Sequence, residues 1–104
     1  MHVRKYRWSR VYESAEEELV AFLEGRHIPA ERWEAEDGET ISDRTFTVDS
    51  QLWCAEGQLA CTVEGKTYSL QPGDVIDIPA QLPVSMRLSF GGCVCYISSY
   101  STRN

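Results

Sequence analysis

Histidine is almost missing from this chain. His2 and His27 are the only two in 104 residues, and neither lies beyond residue 27. A first-row metal site built mainly of imidazole therefore cannot be assembled there. The commonest general base is absent from it as well. Long apolar runs are also absent, so nothing approaches the ~20 residues of a membrane-spanning helix. The opening MHVRKYRWSR has charges with no apolar segment behind them, unlike a secretion signal, so the expected location is cytoplasmic. There is no internal repeat, low-complexity tract or linker, and 1–104 reads as one domain. The zinc spacings C-x2-C and C-x4-C do not occur. Positive charge is scarce: 10 Lys and Arg stand against 16 Asp and Glu, for a net charge of −6 and a pI near 4.8. Nucleic acid is not an expected partner of such a surface.

One basic cluster exists, at Arg4, Lys5, Arg7 and Arg10, alternating with Val3, Tyr6 and Trp8. It reads as an edge strand with a solvated basic face, since Lys and Arg protect strand edges from mispairing. Cys54, Cys61, Cys93 and Cys95 are four in number, but a disulfide framework needs an oxidising setting that nothing here indicates. They are expected to be buried and reduced. Cys93 and Cys95, two apart on a strand, face the same way.

Periodicity predicts a half-buried strand over residues 3–12 and one short helix over about 15–24. Ser14 and Glu17 form its capping box, Leu19, Val20, Phe22 and Leu23 its apolar stripe, and Gly25 its end, with Pro29 beyond. The rest reads as β structure: strands over 30–36, 43–49, 51–63, 66–70, 75–78, 84–90 and 93–99. Turns fall at Asp37-Gly38, Glu64-Gly65 and Gln71-Pro72-Gly73-Asp74, the last suited to type II. Short strands at such spacing give an all-β sandwich or barrel.

Within this pattern, residues 38–88 resemble the conserved half of a cupin. The first cupin motif, G-x5-H-x-H-x3-E-x6-G, is spaced as Gly38, Arg44, Phe46, Ser50 and Gly57. The second, G-x5-P-x-G-x2-H-x3-N, runs as Gly73, Pro79, Gln81, Val84 and Leu88. The resemblance implies a jelly-roll β-barrel with one short N-terminal helix. Residues 1–37 would supply strand, helix and strand, 38–88 the two motifs, and 89–104 the closing strand and tail. Cupins hold a metal with the three histidines and the glutamate of those motifs. Here Arg44, Phe46, Ser50 and Val84 stand in their places, so no metal and no cofactor are expected. Asp43 and Asp49 fall on the opposite face by strand parity.

Cupin epimerases use a histidine base, which this barrel segment lacks. Tyr68 or Tyr96 could act as an acid, but without a paired base. A reactive thiolate at Cys54 or Cys95 needs a positive neighbour, and Arg44 is the one candidate. What remains is the barrel interior as a pocket, with candidate lining Arg44, Phe46, Ser50, Cys54, Val84 and Tyr96. Parity places Arg44, Phe46, Val48, Ser50, Leu52 and Cys54 inward, and Thr45, Thr47, Asp49, Gln51 and Trp53 outward. Arg44 either clamps a small anion, pairs with Glu34 or Glu36, or snorkels to water from a strand end.

The leading expectation is a metal-free, non-catalytic cupin with a small-molecule-binding or structural role. The alternatives are a cupin enzyme (isomerase, epimerase or dioxygenase) with an atypical site around Arg44, Ser50, Cys54 and Tyr96, and a protein-interaction module. An outward Trp53 would expose an indole in a monomer. A homodimer is therefore expected, with Trp53 or the Tyr6/Trp8 strand in its interface.

Overall fold

The computed structural model describes residues 3–8, 16–35 and 40–99. Its elements run β1 (Arg4–Arg7), α1 (Glu16–Gly25), β2 (Ala30–Ala35), β3 (Thr40–Arg44), β4 (Ser50–Val63), β5 (Lys66–Leu70), β6 (Asp74–Ile78) and β7 (Val84–Ser99). All pairings are antiparallel, and the strands form a jelly roll. One sheet has the order β1-β6-β4-β7-β2 and uses the first half of β4 and the second half of β7. The opposing layer adds β5 and β3 to the other halves of the same two strands. β4 and β7 thus turn from one sheet into the other. Their register shifts between Cys54 and Glu56 and between Gly57 and Leu59, where extra residues bend the strands.

Gly57 sits at that bend with φ +75, and a Cβ there would stand 2.3 Å from the Gly92 carbonyl oxygen. Only glycine allows both the left-handed backbone and the close approach. The β4–β5 hairpin turns through Glu64 and Gly65, both at positive φ, as a two-residue primed turn requires. At the β5–β6 turn the Asp74 amide donates to the Gln71 carbonyl at 2.9 Å, with Gly73 at φ +100.

Period-two alternation divides the apolar residues between two cores. Leu52, Leu59, Val63, Ile76, Ile78 and Met86 fill the space between the sheets, each at most 2 % exposed. The outer face of the five-stranded sheet carries Trp53, Val75 and Val94, and α1 lays Leu19 and Leu23 on them. Phe22 bridges the rings of Trp8 and Trp53 at centroid distances of 5.1 and 5.8 Å. Glu16, Glu17 and Glu18 in the first turn suit the helix dipole. The expected cap at Ser14 lies outside the described residues.

Several expectations are corrected. The helix ends on Gly25, as expected, but that glycine is not its left-handed closing residue. His27 takes the left-handed position (φ +56), the His27 amide donates to Glu24 and the Ile28 amide to Leu23, a Schellman closure two residues later. Residues 45–49 are not a strand: β3 ends at Arg44 and β4 begins at Ser50. The 84–90 and 93–99 strands are one, because Gly91-Gly92 makes a bend at the sheet corner and not a break. Trp53 does face away from the barrel interior, yet it is 3 % exposed, because α1 covers it. Its indole is therefore not offered to a second copy. β1 is an edge strand, as expected, but its basic face is not merely solvated. Arg7 pairs at 2.9 Å with the buried Asp74, and Arg4 at 3.5 Å with the buried Asp77. Residues 9–12, Arg10 and the Asp37-Gly38 turn lie outside the described residues.

Candidate functional site

Arg44, Phe46, Ser50 and Val84 occupy strand ends and the linking loop at one end of the barrel. Arg44 ends β3 and lies opposite Val84, the first residue of β7. Ser50 opens β4 opposite Ile78 and Ser99. Phe46, in the loop between β3 and β4, packs against the inner core. The Gln81 amide, at a left-handed turn (φ 65), donates to the Phe46 carbonyl at 2.8 Å, and the Ala80 amide donates to Asp49 Oδ1 at 2.8 Å. These bonds tie the β3–β4 loop to the loop before β7. Asp49 is thus half-buried and engaged, not pointing freely to solvent. The side chain of Asp43 lies outside the described residues.

The chemistry at this end does not fit a metal ion. Val84 is fully buried and offers no lone pair, and Phe46 offers none either. Ser50 is 2 % exposed, and its hydroxyl donates at 2.9 Å to the Val48 carbonyl. Arg44 is a permanent cation. Its guanidinium is exposed and stands 5.0 Å from the centroid of the Phe46 ring, a cation–π contact over the barrel mouth. Glu34 is not its partner, being paired with Arg32 at 2.9 Å. Glu36 lies outside the described residues. Among the described residues, no group of three or more His, Cys, Asp or Glu is placed to hold a metal.

Below the mouth, all four cysteines point into the inner core, buried and outside any disulfide. The Cys93 and Cys95 sulfurs are 3.8 Å apart, and Cys54 is the cross-strand neighbour of Cys95. Cys54 Sγ also lies 3.6 Å from the Gly57 carbonyl. Burial pushes the Cys61 thiol up to about 12, helped by its neighbours Cys54 and Cys93. Hydrogen bonds with Cys54 and then Cys93, followed by burial, raise the Cys95 thiol. For Cys61 and Cys95 this favours the thiol over the reactive thiolate.

Tyr96 does not join the other candidate pocket residues. It lies opposite Trp53 on the outer face, on the side of α1. Its hydroxyl donates to Glu16 Oε2 at 2.5 Å, and Arg32 Nε donates to the same oxygen at 2.6 Å. Arg32, and then Tyr96, hold the Glu16 carboxyl below the usual carboxylate range. Burial, and then Glu16, raise the Tyr96 hydroxyl. The cluster fastens the first turn of α1 to β2 and β7. An open groove of about 600 Å³ beside it is lined by Glu16, Glu17, Val20, Ala21, Glu24 and Glu56. No sequence signal announced this cluster, because its members lie 16 and 80 positions apart.

Solved structures share the fold. The chain is similar to a DUF861 family protein from Thermotoga maritima, at 19% identity over 95% of this chain and 100% of that one, with a TM-score of 0.67. A protein of unknown function from Rhizobium leguminosarum is 23% identical over 70% of this chain and 69% of its own, with a TM-score of 0.65. A cupin superfamily protein from Desulfitobacterium hafniense is 15% identical over 96% and 79%, with a TM-score of 0.62. No family model matches the sequence, and no curated protein does.

Proposed function

We propose that this chain, which has the cupin fold, is a non-catalytic member of that fold that takes no metal and receives a small anionic molecule at its barrel mouth. The observation that carries this reading is the set of side chains where cupins place metal ligands: two hydrocarbons, a serine whose proton is committed to Val48, and an arginine. Of the four, Arg44 has the freedom to meet a ligand, and its planar fork suits a carboxylate or phosphate. The inner core beneath it is packed with apolar side chains and thiols, and among the described residues no acid–base pair faces the mouth. An enzymatic site built from Arg44, Ser50, Cys54 and Tyr96 is disfavoured, since Tyr96 is on the far side of the sheet. The four free thiols suit a reducing compartment, consistent with the cytoplasm.

Two measurements test the reading. The first is elemental analysis after exposure to iron, manganese, nickel, copper and zinc, followed by desalting. It is expected to find no stoichiometric metal, and near-equimolar metal overturns the proposal. The second is a thermal-shift screen of small carboxylates and phosphates on wild type and Arg44→Gln. A stabilising anion whose effect disappears in Arg44→Gln is the expected result. An anion that stabilises both equally places the ligand elsewhere.

A further inference from the structure

β2 closes one flank of the five-stranded sheet. It pairs with β7 along one edge, and among the described residues no strand pairs with its other edge. Exposed backbone edges are managed or used, because unpaired amides and carbonyls template another strand. Along β2 the outer face carries Arg32 and Glu34, opposite Tyr96 and Val94 of β7. The face toward the barrel interior carries Glu31 and Trp33, opposite Ile97 and Cys95. Trp33 is half-buried at the rim of the inner core. Arg32 and Glu34 remain 44% and 63% exposed although they touch each other at 2.9 Å.

We propose that β2 is the interface with a second copy of this chain, paired antiparallel about a two-fold axis through Trp33, so that two sheets become one. A two-fold axis perpendicular to the sheet keeps inner faces with inner faces, so it must pass through a residue and not between two. Each choice of residue sets a register. Centring on Glu31, Arg32 or Glu34 puts that charge against its own copy. Centring on Ala35 sets Glu34 against Glu36 of the partner subunit, and centring on Ala30 spends the ladder on Pro29, which has no amide hydrogen. Centring on Trp33 sets Arg32 against the partner's Glu34, twice by symmetry, with the two indoles directly opposed and Glu31 facing an alanine. Like charges directly across a ladder destabilise it, while opposite charges and aromatic pairs stabilise it. The edge is therefore self-complementary in one register alone. It replaces Trp53 as the tryptophan of the interface, and it stands independently of the ligand reading.

The test joins sedimentation with cysteine crosslinking. Directly opposed antiparallel residues have Cα atoms about 4.5–5.5 Å apart, inside the disulfide range. Trp33→Cys under mild oxidation is expected to give a covalent dimer that a reductant dissolves, while wild type, with buried thiols, gives none. Sedimentation of wild type is expected to show a dimer. Glu34→Arg should weaken it by about tenfold or more in dissociation constant by opposing Arg32 to an arginine. A protein that stays monomeric at high concentration overturns the proposal. So does a dimer that neither responds to Glu34→Arg nor crosslinks through Trp33→Cys. Should Trp33→Cys fail to fold, Glu34→Arg alone decides, because residue 34 is on the surface.

Discussion

Replacing Trp53 with alanine tests how the molecule closes its second core. The indole is 3 % exposed, beneath Leu19, Phe22 and Leu23 of α1, and its Nε1 donates to Ser98 Oγ at 2.9 Å. An aromatic side chain of this kind buries about 200 Å², or about 5 kcal/mol at 25 cal/mol per Å² as an upper bound. The hydrogen bond adds about 1 kcal/mol, and its loss is softened because Ser98 Oγ keeps its bond to Gln51 Oε1. Measured large-to-small changes in cores run at about 3–5 kcal/mol, which is the expected loss here. For a domain whose whole stability is about 5–15 kcal/mol, this is near half. The melting temperature should fall by about 12–40 °C at about 4–8 °C per kcal/mol. Trp53→Phe keeps most of the ring and should lose only about 1–2 kcal/mol. Urea unfolding followed by far-ultraviolet circular dichroism reads both. A loss below about 1 kcal/mol for Trp53→Ala would refute the burial of the indole by the helix, and with it the account of the outer core.

Other perturbations have equally definite outcomes. Glu16 has a folded pKa below its unfolded one, so its contacts with Arg32 and Tyr96 stabilise the fold fully above the unfolded carboxyl range and are lost as pH falls through the folded value. The stability gap between wild type and Glu16→Gln should therefore be present at pH 7 and shrink below about pH 4, and a pH-independent gap contradicts this. Arg7→Ala leaves the Asp74 carboxylate, 3% exposed, with the Gln71 amide, and should cost about 2–4 kcal/mol. Adding Asp74→Asn should recover part of that loss in a double-mutant cycle. Gly57→Ala meets both a left-handed backbone and the Gly92 carbonyl at 2.3 Å, and should cost well over the about 1 kcal/mol of the backbone alone. With Cys61 pushed up to about 12 and all four thiols buried, an aromatic disulfide reagent at pH 8 should label native protein far more slowly than urea-unfolded protein. Fast labelling of the native state would show that the inner core opens.

The parts of this fold that lie in short stretches of sequence were readable there. Pro72-Gly73 and Glu64-Gly65 marked their turns, and alternation along 51–54 assigned Leu52 and Cys54 to the inner core. The spacing of the cupin motifs found the barrel end now occupied by Arg44, Phe46, Ser50 and Val84. What escaped is what only tertiary context decides. Gly91-Gly92 has the composition of a break, and a sheet corner makes it a bend within one strand. Outward parity for Trp53 was right, but whether an outward face meets water depends on where a helix from 30 residues earlier lands. Nothing in the local sequence shows that Asp74 and Asp77 are buried and paired with Arg7 and Arg4 of β1, which the fold brings to them across the sheet. Tyr96 was a candidate for the pocket lining, but it pairs with the outward Trp53 and so lies on the other face of the sheet.

Because β4 and β7 each belong to both sheets, neither layer has a complete set of strands of its own. Losing β5 and β3 would leave the second half of β4 and the first half of β7 paired only with each other, as a two-stranded ribbon hanging from the other sheet. Partial melting is therefore penalised from both sides, and the two layers should unfold in one step. Amide hydrogen exchange at Leu52–Cys54 and at Leu59–Val63, on opposite sides of the corner, should report a single shared opening free energy. A ligand that stabilises the mouth of the barrel would then slow exchange throughout both sheets, far from the atoms it touches.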